Sequence, residues 1–420
     1  MTLIRPVAAG VAAALLAAGC GSAAAPPPPA ATFVRGSART EPAVSPRPYA
    51  TADLQFGLSL LAAACAAEPG QNVVLSPASL ASGLGMAYLG ARGPTARAMA
   101  SVLHLPPPTA ASLAAGLQAR SRALRALDSR GVTVADSDEV WADPSTPPLR
   151  SYLDAVATDY GAGLGQVPLM RQPGKAAAQI DAVVAAATRG HIRNLLTAGD
   201  LQGTVFVLTD ALYLSARWAS PFDPAQDTSG TFVTASGQPV TAHFLNGGAF
   251  PSATASGWTA VSLPYRGGRL AMTALLPPAG QPRCTAIAAS LVASLEHSLA
   301  AAAGAAASAQ VALPRVSLDA KEHLKPLLTS LGMGLAFAPA GDFAGLSPAT
   351  DGIGDVVHAA TLRVDAAGTV ASAATGVTML PTAVRSGPVI TFDRPYLMLI
   401  TDTRTGEPLF LARVANPDLP

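Results

Sequence analysis

Two hydrophobic periods run along this chain, helical in its first half and strand-like after about residue 205. Residues 53–66 carry Leu54, Phe56, Leu58, Leu60 and Leu61 at helix-like recurrence, and Glu68-Pro69-Gly70 ends that helix. Residues 72–75 form a short strand that runs into a helix. Pro77 suits its first turn, where a missing N–H is no loss, and Ser76 suits its N-cap. That helix ends near Arg92-Gly93, and Thr95 opens another. Residues 132–141 alternate like a strand, while 151–160 and 180–187 read as helices. Residues 205–214 are almost wholly apolar over a strand's length, which predicts a central strand buried on both faces. Further strands are expected at 231–234, 260–263, 270–276, 310–318, 361–364, 389–392, 397–401 and 409–414. Many strands after a helical start, without regular βα alternation, predict an α+β fold with large antiparallel or mixed sheets.

Composition allows one large core: 420 residues, 50% hydrophobic and 13% charged. The formal net charge of +1 gives no reason to expect nucleic acid or an acidic partner. Lysines number only three (Lys175, Lys321, Lys325), which reads as coding bias toward arginine and alanine.

The first residues read as an export signal, with Arg5, an apolar run from Pro6 to Ala18, and Gly19-Cys20. Ala17-Ala18-Gly19-Cys20 resembles a bacterial lipobox, although Leu16 lies four places before the cysteine rather than three. A secretory signal with a chance cysteine is the other reading. Residues 21–50 are rich in Ala, Pro and Ser and include Pro26-Pro27-Pro28-Pro29, a composition expected to act as a semi-rigid tether. The expected division is signal peptide 1–19, lipid-attached tether 20–50 and folded domain 51–420. With Cys20 lipidated, Cys65 and Cys284 remain. Both are expected as free thiols, because Cys65 falls in an apolar helical run where burial is the default.

The stretch Val364 to Val377 holds almost nothing but small residues, about 55 positions before the C-terminus. On composition alone it is an Ala-rich helix or a loop. Its surroundings say more: 355–364 upstream, Ile390-Thr391-Phe392-Asp393-Arg394-Pro395-Tyr396 downstream, then 405–417. In that order these segments resemble the hinge, reactive loop and closing strands of a serpin, a suicide-type inhibitor of serine proteases. Other blocks add to the resemblance. Asn72, Ser76-Pro77 and Ser79 with Leu89-Gly90-Ala91-Arg92-Gly93 are similar to the family's second-helix signature. Asp210 to Phe222 is similar to its central strand with Trp218, and Leu263-Pro264-Tyr265, Leu275-Leu276-Pro277, Leu313-Pro314-Arg315 and Leu331-Gly332-Met333 follow in register.

The resemblance implies a serpin fold of three β-sheets, about eight to nine helices and an exposed reactive-centre loop. It implies irreversible inhibition of serine proteases, with cysteine proteases as a second target class, by insertion of the cleaved loop into the central sheet. Ser76, Ser79, Asp210 and His358 match the polar shutter beneath that sheet, and Trp218 matches the place where insertion begins. The family usually carries Asn at the place of Asp210, so a charge enters the cluster, costly unless it pairs with His358 or stays protonated. The hinge is Gly368, Thr369, Ala371, Ser372, Ala373, Ala374 and Thr375; the family's hinge acid is absent at Ala366, and Asp365 stands one place earlier. Counting forward from Gly368 puts the reactive bond at Thr382-Ala383, whereas counting back from Phe392 points to Arg385-Ser386.

A catalyst is the first rival class. No Gly-x-Ser-x-Gly, Ser-x-x-Lys or His-Glu-x-x-His motif occurs, and the six histidines are scattered. No catalytic residue, metal or cofactor is expected. The second rival is a non-inhibitory carrier or scaffold on the same fold, favoured by Ala366 and Asp210. The expected partners are a serine protease and, through the lipid, a membrane, with no nucleic acid. The chain is expected to be a monomeric, extracytoplasmic cell-membrane lipoprotein, otherwise secreted.

Overall fold

A computed structural model describes residues 30–107, 110–129, 131–281, 284–302, 308–348, 352–369 and 388–419. Its helices are α1 (Arg47–Ala67), α2 (Pro77–Gly90), α3 (Gly93–Val102), α4 (Ala110–Arg125), α5 (Arg150–Tyr160), α6 (Pro173–Ala187), α7 (Ala289–Ala302) and the single turn α8 (Lys325–Leu328). The strands of the first half are β1 (Thr32–Val34), β2 (Val73–Leu75), β3 (Val132–Ala142), β4 (Leu164–Gln166) and β5 (Phe206–Arg217). Then come β6 (Thr228–Val233), β7 (Pro239–Ala255), β8 (Trp258–Pro264), β9 (Leu270–Leu276), β10 (Ser308–Pro314) and β11 (Val316–His323). The last five are β12 (Val356–Val364), β13 (Gly368–Thr369), β14 (Val389–Thr391), β15 (Tyr396–Asp402) and β16 (Pro408–Val414).

One sheet runs β1-β4-β3-β5-β13-β12-β11. The other strands form a second, bent system in which the long β7 belongs to two halves. One half holds β6, β10 and β14, and the other continues through β8, β9, β15 and β16 to β2. Below the short β13, β5 and β12 pair directly and in parallel, Leu208–Tyr213 against Val356–Thr361. The fold is α+β, as expected.

Why α2 forms is visible in its start. Ser76 is extended and its hydroxyl accepts from the N–H of Ser79 at 3.2 Å, while Pro77 fills the first turn. Almost all of α2 is buried, because it packs on β3 and β5 of the first sheet and on β16 of the second. It therefore has no polar face, and its hydroxyls must find partners inside the protein.

Several expectations need correction. The strand expected at 310–318 is two strands in different sheets, β10 and β11, with Arg315 between them donating its N–H to the carbonyl of His243. A continuous apolar reading could not show that break. The packed body also begins well before Thr51. Residues 30–46, part of the expected tether, lie on the domain: β1 pairs antiparallel with β4, and Phe33 packs on Trp141 at 5.5 Å. Further along, the N–H groups of Ser37, Arg39 and Glu41 donate to Asp154, Thr158 and Gln118 on α5 and α4. Backbone pairing, which composition does not register, holds the segment. Finally, Cys65 and Cys284 are joined by a disulfide across 219 residues, not held as free thiols. The end of α1 lies against the segment leading into α7, a proximity that exists only in the folded chain.

Candidate functional site

Across the first sheet, one level carries an unusual row of polar residues. Asp138 on β3 stands opposite Asp210 on β5, Asp210 opposite His358 on β12, and His358 opposite Glu322 on β11. Asp210 and His358 are fully buried and hydrogen-bonded through Asp210 Oδ1 and His358 Nδ1. The other ring nitrogen, Nε2, accepts from the backbone N–H of Ser76 at 3.3 Å. That fixes the tautomer, with Nδ1 carrying the hydrogen and donating to Asp210. Ser79 donates its hydroxyl to Asp138 Oδ1. Burial raises the Asp138 carboxyl well above the usual carboxylate range, and the charges of Asp210 and Asp136 add to the rise.

The Asp210–His358 contact crosses the seam between β5 and β12. At the top of that seam a short third strand, β13, lies between the two. Gly368 pairs with Arg217 and Thr369 with Ala216 on β5, while Thr369 also pairs with Val364 on β12. A tight turn joins β12 to β13: the Asp365 carboxylate accepts the N–H groups of Ala367 at 2.8 Å and Gly368 at 3.0 Å. A Cβ on Gly368 would sit 2.2 Å from the carbonyl oxygen of Ala216, so only glycine permits this approach. Trp218 closes the top. Its indole N–H donates to the carbonyl of Asp365 at 2.9 Å, and its ring stacks on Tyr265 at 4.5 Å. The hydroxyl of Thr369, fully buried, meets that of Tyr265.

Of the residues singled out in the sequence, Ser76, Ser79, Asp210 and His358 come together in the polar row, and Gly368, Thr369 and Trp218 at the seam's upper end. Ala371, Ser372, Ala373, Ala374, Thr375, the alternative bonds Thr382-Ala383 and Arg385-Ser386, and Cys20 lie outside the described residues. Sequence reasoning missed Asp138, Tyr265 and the part played by Asp365. Asp138 had a signal: a carboxylate inside an alternating strand, at a position facing inward, needs a buried partner. Tyr265 was named only within the Leu263-Pro264-Tyr265 block, since its contact with Thr369 spans 104 residues.

Comparison with known proteins agrees with this geometry. A family model described as serpin (serine protease inhibitor) matches residues 51–417, and the chain belongs to the serpin family. An uncharacterized serpin-like protein of Thermococcus kodakarensis is 32% identical over 351 residues, covering 82% of this chain and 81% of its own. Tengpin, a thermophilic serpin solved in its native state, superposes with a TM-score of 0.77 at 20% identity, over 92% of this chain and all of its own (100%). Thyroxine-binding globulin in complex with thyroxine gives a TM-score of 0.72 at 21% identity, over 88% of this chain and 99% of that one. These two structures share the fold.

Proposed function

We propose that the protein is an irreversible inhibitor of serine proteases, with cysteine proteases as a second class. It would trap the acyl-enzyme by inserting its cleaved loop between β5 and β12. The observation that carries this reading is β13, a two-residue start of a strand between two strands that remain paired below it. The side chains that would follow Thr369 into the seam, Ala371, Ser372, Ala373 and Ala374, are small. No charge or proline occurs between Thr369 and Thr375 to oppose entry. Both candidate bonds stand: Arg385-Ser386 suits a trypsin-like enzyme, and Thr382-Ala383 an elastase-like or subtilisin-like one. Incubation with a panel of such proteases should give an SDS-stable covalent adduct, and the mass of the released C-terminal peptide identifies the bond. Simple cleavage by every enzyme, with no adduct, sinks the inhibitor reading.

The lipobox-like Ala17-Ala18-Gly19-Cys20 supports an extracytoplasmic, membrane-anchored protein. One acyl chain binds a membrane only marginally, so two or three on Cys20 would be required. Cys20→Ser should release the protein from the membrane fraction; unchanged association counts against lipidation.

A cavity favours a second reading, that of a small-molecule carrier. It measures about 270 Å³ and is lined by Leu58, Leu61, Trp258, Ile287, Arg394 and the Cys65–Cys284 bridge. The similar thyroxine-binding globulin was solved with thyroxine. A carrier would be cut by proteases without trapping them, so the adduct experiment separates the two readings.

A further inference from the structure

Residues 37–41 run as a strap over α5 and α4, held by alternate N–H groups. Ser37 donates to the Asp154 carboxylate at 2.6 Å, Arg39 to the Thr158 hydroxyl at 3.0 Å, and Glu41 to the Gln118 side chain at 3.0 Å. Gln118 answers by donating to the carbonyls of Arg39 and Thr158. All of these partners lie on two helices at one edge of the domain, so the strap can open locally while the rest stays folded.

Asp159 follows Thr158 on α5 and is buried beside the strap. The charges that act on it come from the strap itself. Glu41 has the same sign, and Arg39, whose guanidinium is mostly exposed, pairs with Glu41 at 3.8 Å. From α1 the phenol of Tyr49 faces Asp159, and from its own helix that of Tyr160. Burial pushes both phenols up, so neither carries charge at neutral pH. From α4 comes Gln118, which is neutral. A carboxyl so placed loses water on folding and gains no buried cation in return, which favours its protonated form.

We propose that Asp159 is a proton-operated latch for the N-terminal strap: protonated, it lets residues 37–41 lie beside it, and ionised, it drives them away from α4 and α5. The sign follows from its surroundings. Burial raises the carboxyl to about 7, Glu41 adds to the rise, and Arg39 opposes it. The docked strap therefore binds a proton more tightly than the open one, in which water reaches Asp159. Docking is favoured in acid and weakens as pH rises through about 7. With a value nearer the ordinary 4 once the strap is off, the docking equilibrium falls about tenfold between pH 6 and pH 8. Glu139 on β3, faced by Arg35, is pushed to about 7 as well, so a second carboxyl titrates near the root of the strap.

Amide hydrogen exchange on the full chain tests the latch. Rates at pH 6, 7 and 8, each divided by the intrinsic rate at that pH, give the protection of residues 37–41. It should fall about tenfold from pH 6 to pH 8, more than the protection of Leu208–Tyr213 in β5, which reports opening of the whole domain. Asp159→Asn keeps the shape and removes the charge, so its strap should stay within about twofold over the same range, the residual slope belonging to Glu139. Glu41→Gln removes the like charge from the strap and should raise protection at pH 8 by about twofold or more. A parent strap equally protected at pH 6 and pH 8 overturns the latch, as does a fall no larger than that of β5. An Asp159→Asn strap that loosens like the parent's overturns it too. Should that variant fail to fold, Glu41→Gln decides, and no gain at pH 8 counts against the latch.

Discussion

The hydroxyls of Thr369 and Tyr265 meet at 2.5 Å beneath the top of the seam, in a space closed to water. Burial pushes the Tyr265 phenol up from its ordinary pKa, and the bond to Thr369 opposes part of that rise. The side chain of Thr369 is thus already seated between β5 and β12. Whatever stands at position 369 must be desolvated there.

Thr369→Arg tests this. An unpaired guanidinium under the sheet costs several kcal/mol even after relaxation, enough to drive the hinge out of the seam and slow its return by orders of magnitude. The acyl-enzyme would then hydrolyse before the protease is trapped. Gel analysis of protease mixtures should show the covalent adduct reduced at least about tenfold and cleaved product raised, while the initial rate of loop attack stays nearly constant.

How far the sequence foretold this site depends on the reach of each contact. Ser76, Pro77 and Ser79 were legible as a helix start because capping is local, and the apolar run at 205–214 was legible as a buried strand. The row formed by Asp138, Asp210 and His358 was only partly legible. Its members come from three strands, and single-strand alternation shows which face a residue takes but not which residue stands beside it. The helix Ala289–Ala302 and the 17-residue strand Pro239–Ala255 escaped for another reason. The first is almost uniformly Ala, Leu and Ser, and the second changes sheets midway, which blurs its period. The Cys65–Cys284 bridge and the docking of residues 30–46 depend wholly on tertiary proximity.

The docked N-terminal segment gives a second prediction. Removing residues 1–46 uncovers the edge of β4 and strips Phe33 from Trp141. Loss of one partly buried aromatic contact and a short strand pairing should lower stability by about 2–3 kcal/mol. Urea denaturation of the truncated and full chains reads the difference, and equal midpoints would contradict the packing role assigned to β1.

Half-buried carboxyls on β3 set a pH dependence. Asp138 is held well above the usual carboxylate range, and Glu139 is pushed up to about 7, chiefly by burial. A raised carboxyl means that the folded state binds more protons than the unfolded one. Stability is therefore greatest at low pH for these groups and falls as pH rises from their ordinary values, about 4, through their folded values. Asp138→Asn keeps an acceptor for Ser79 and removes the titration. Its stability should decline less between pH 5 and about pH 8 than that of the parent chain, measured by denaturant unfolding at each pH.

Reducing the Cys65–Cys284 bridge frees α1 from the segment before α7. A crosslink over so long a separation typically contributes about 2–4 kcal/mol, largely by restricting the unfolded chain. Cys65→Ser should lower the denaturation midpoint accordingly, and dithiothreitol should lower the parent chain's midpoint while leaving the variant's unchanged.

The central claim, that a cut loop becomes a full strand between β5 and β12, is tested most directly by thermal unfolding before and after cleavage within residues 376–386. A completed strand would give the loop's own backbone groups partners on both sides and bury the small side chains that follow Thr369. The cleaved protein should melt higher by about 10 °C or more, with slower amide exchange along Leu208–Tyr213 and Val356–Thr361. Superimposable melting curves, with exchange along those strands unchanged, would contradict it.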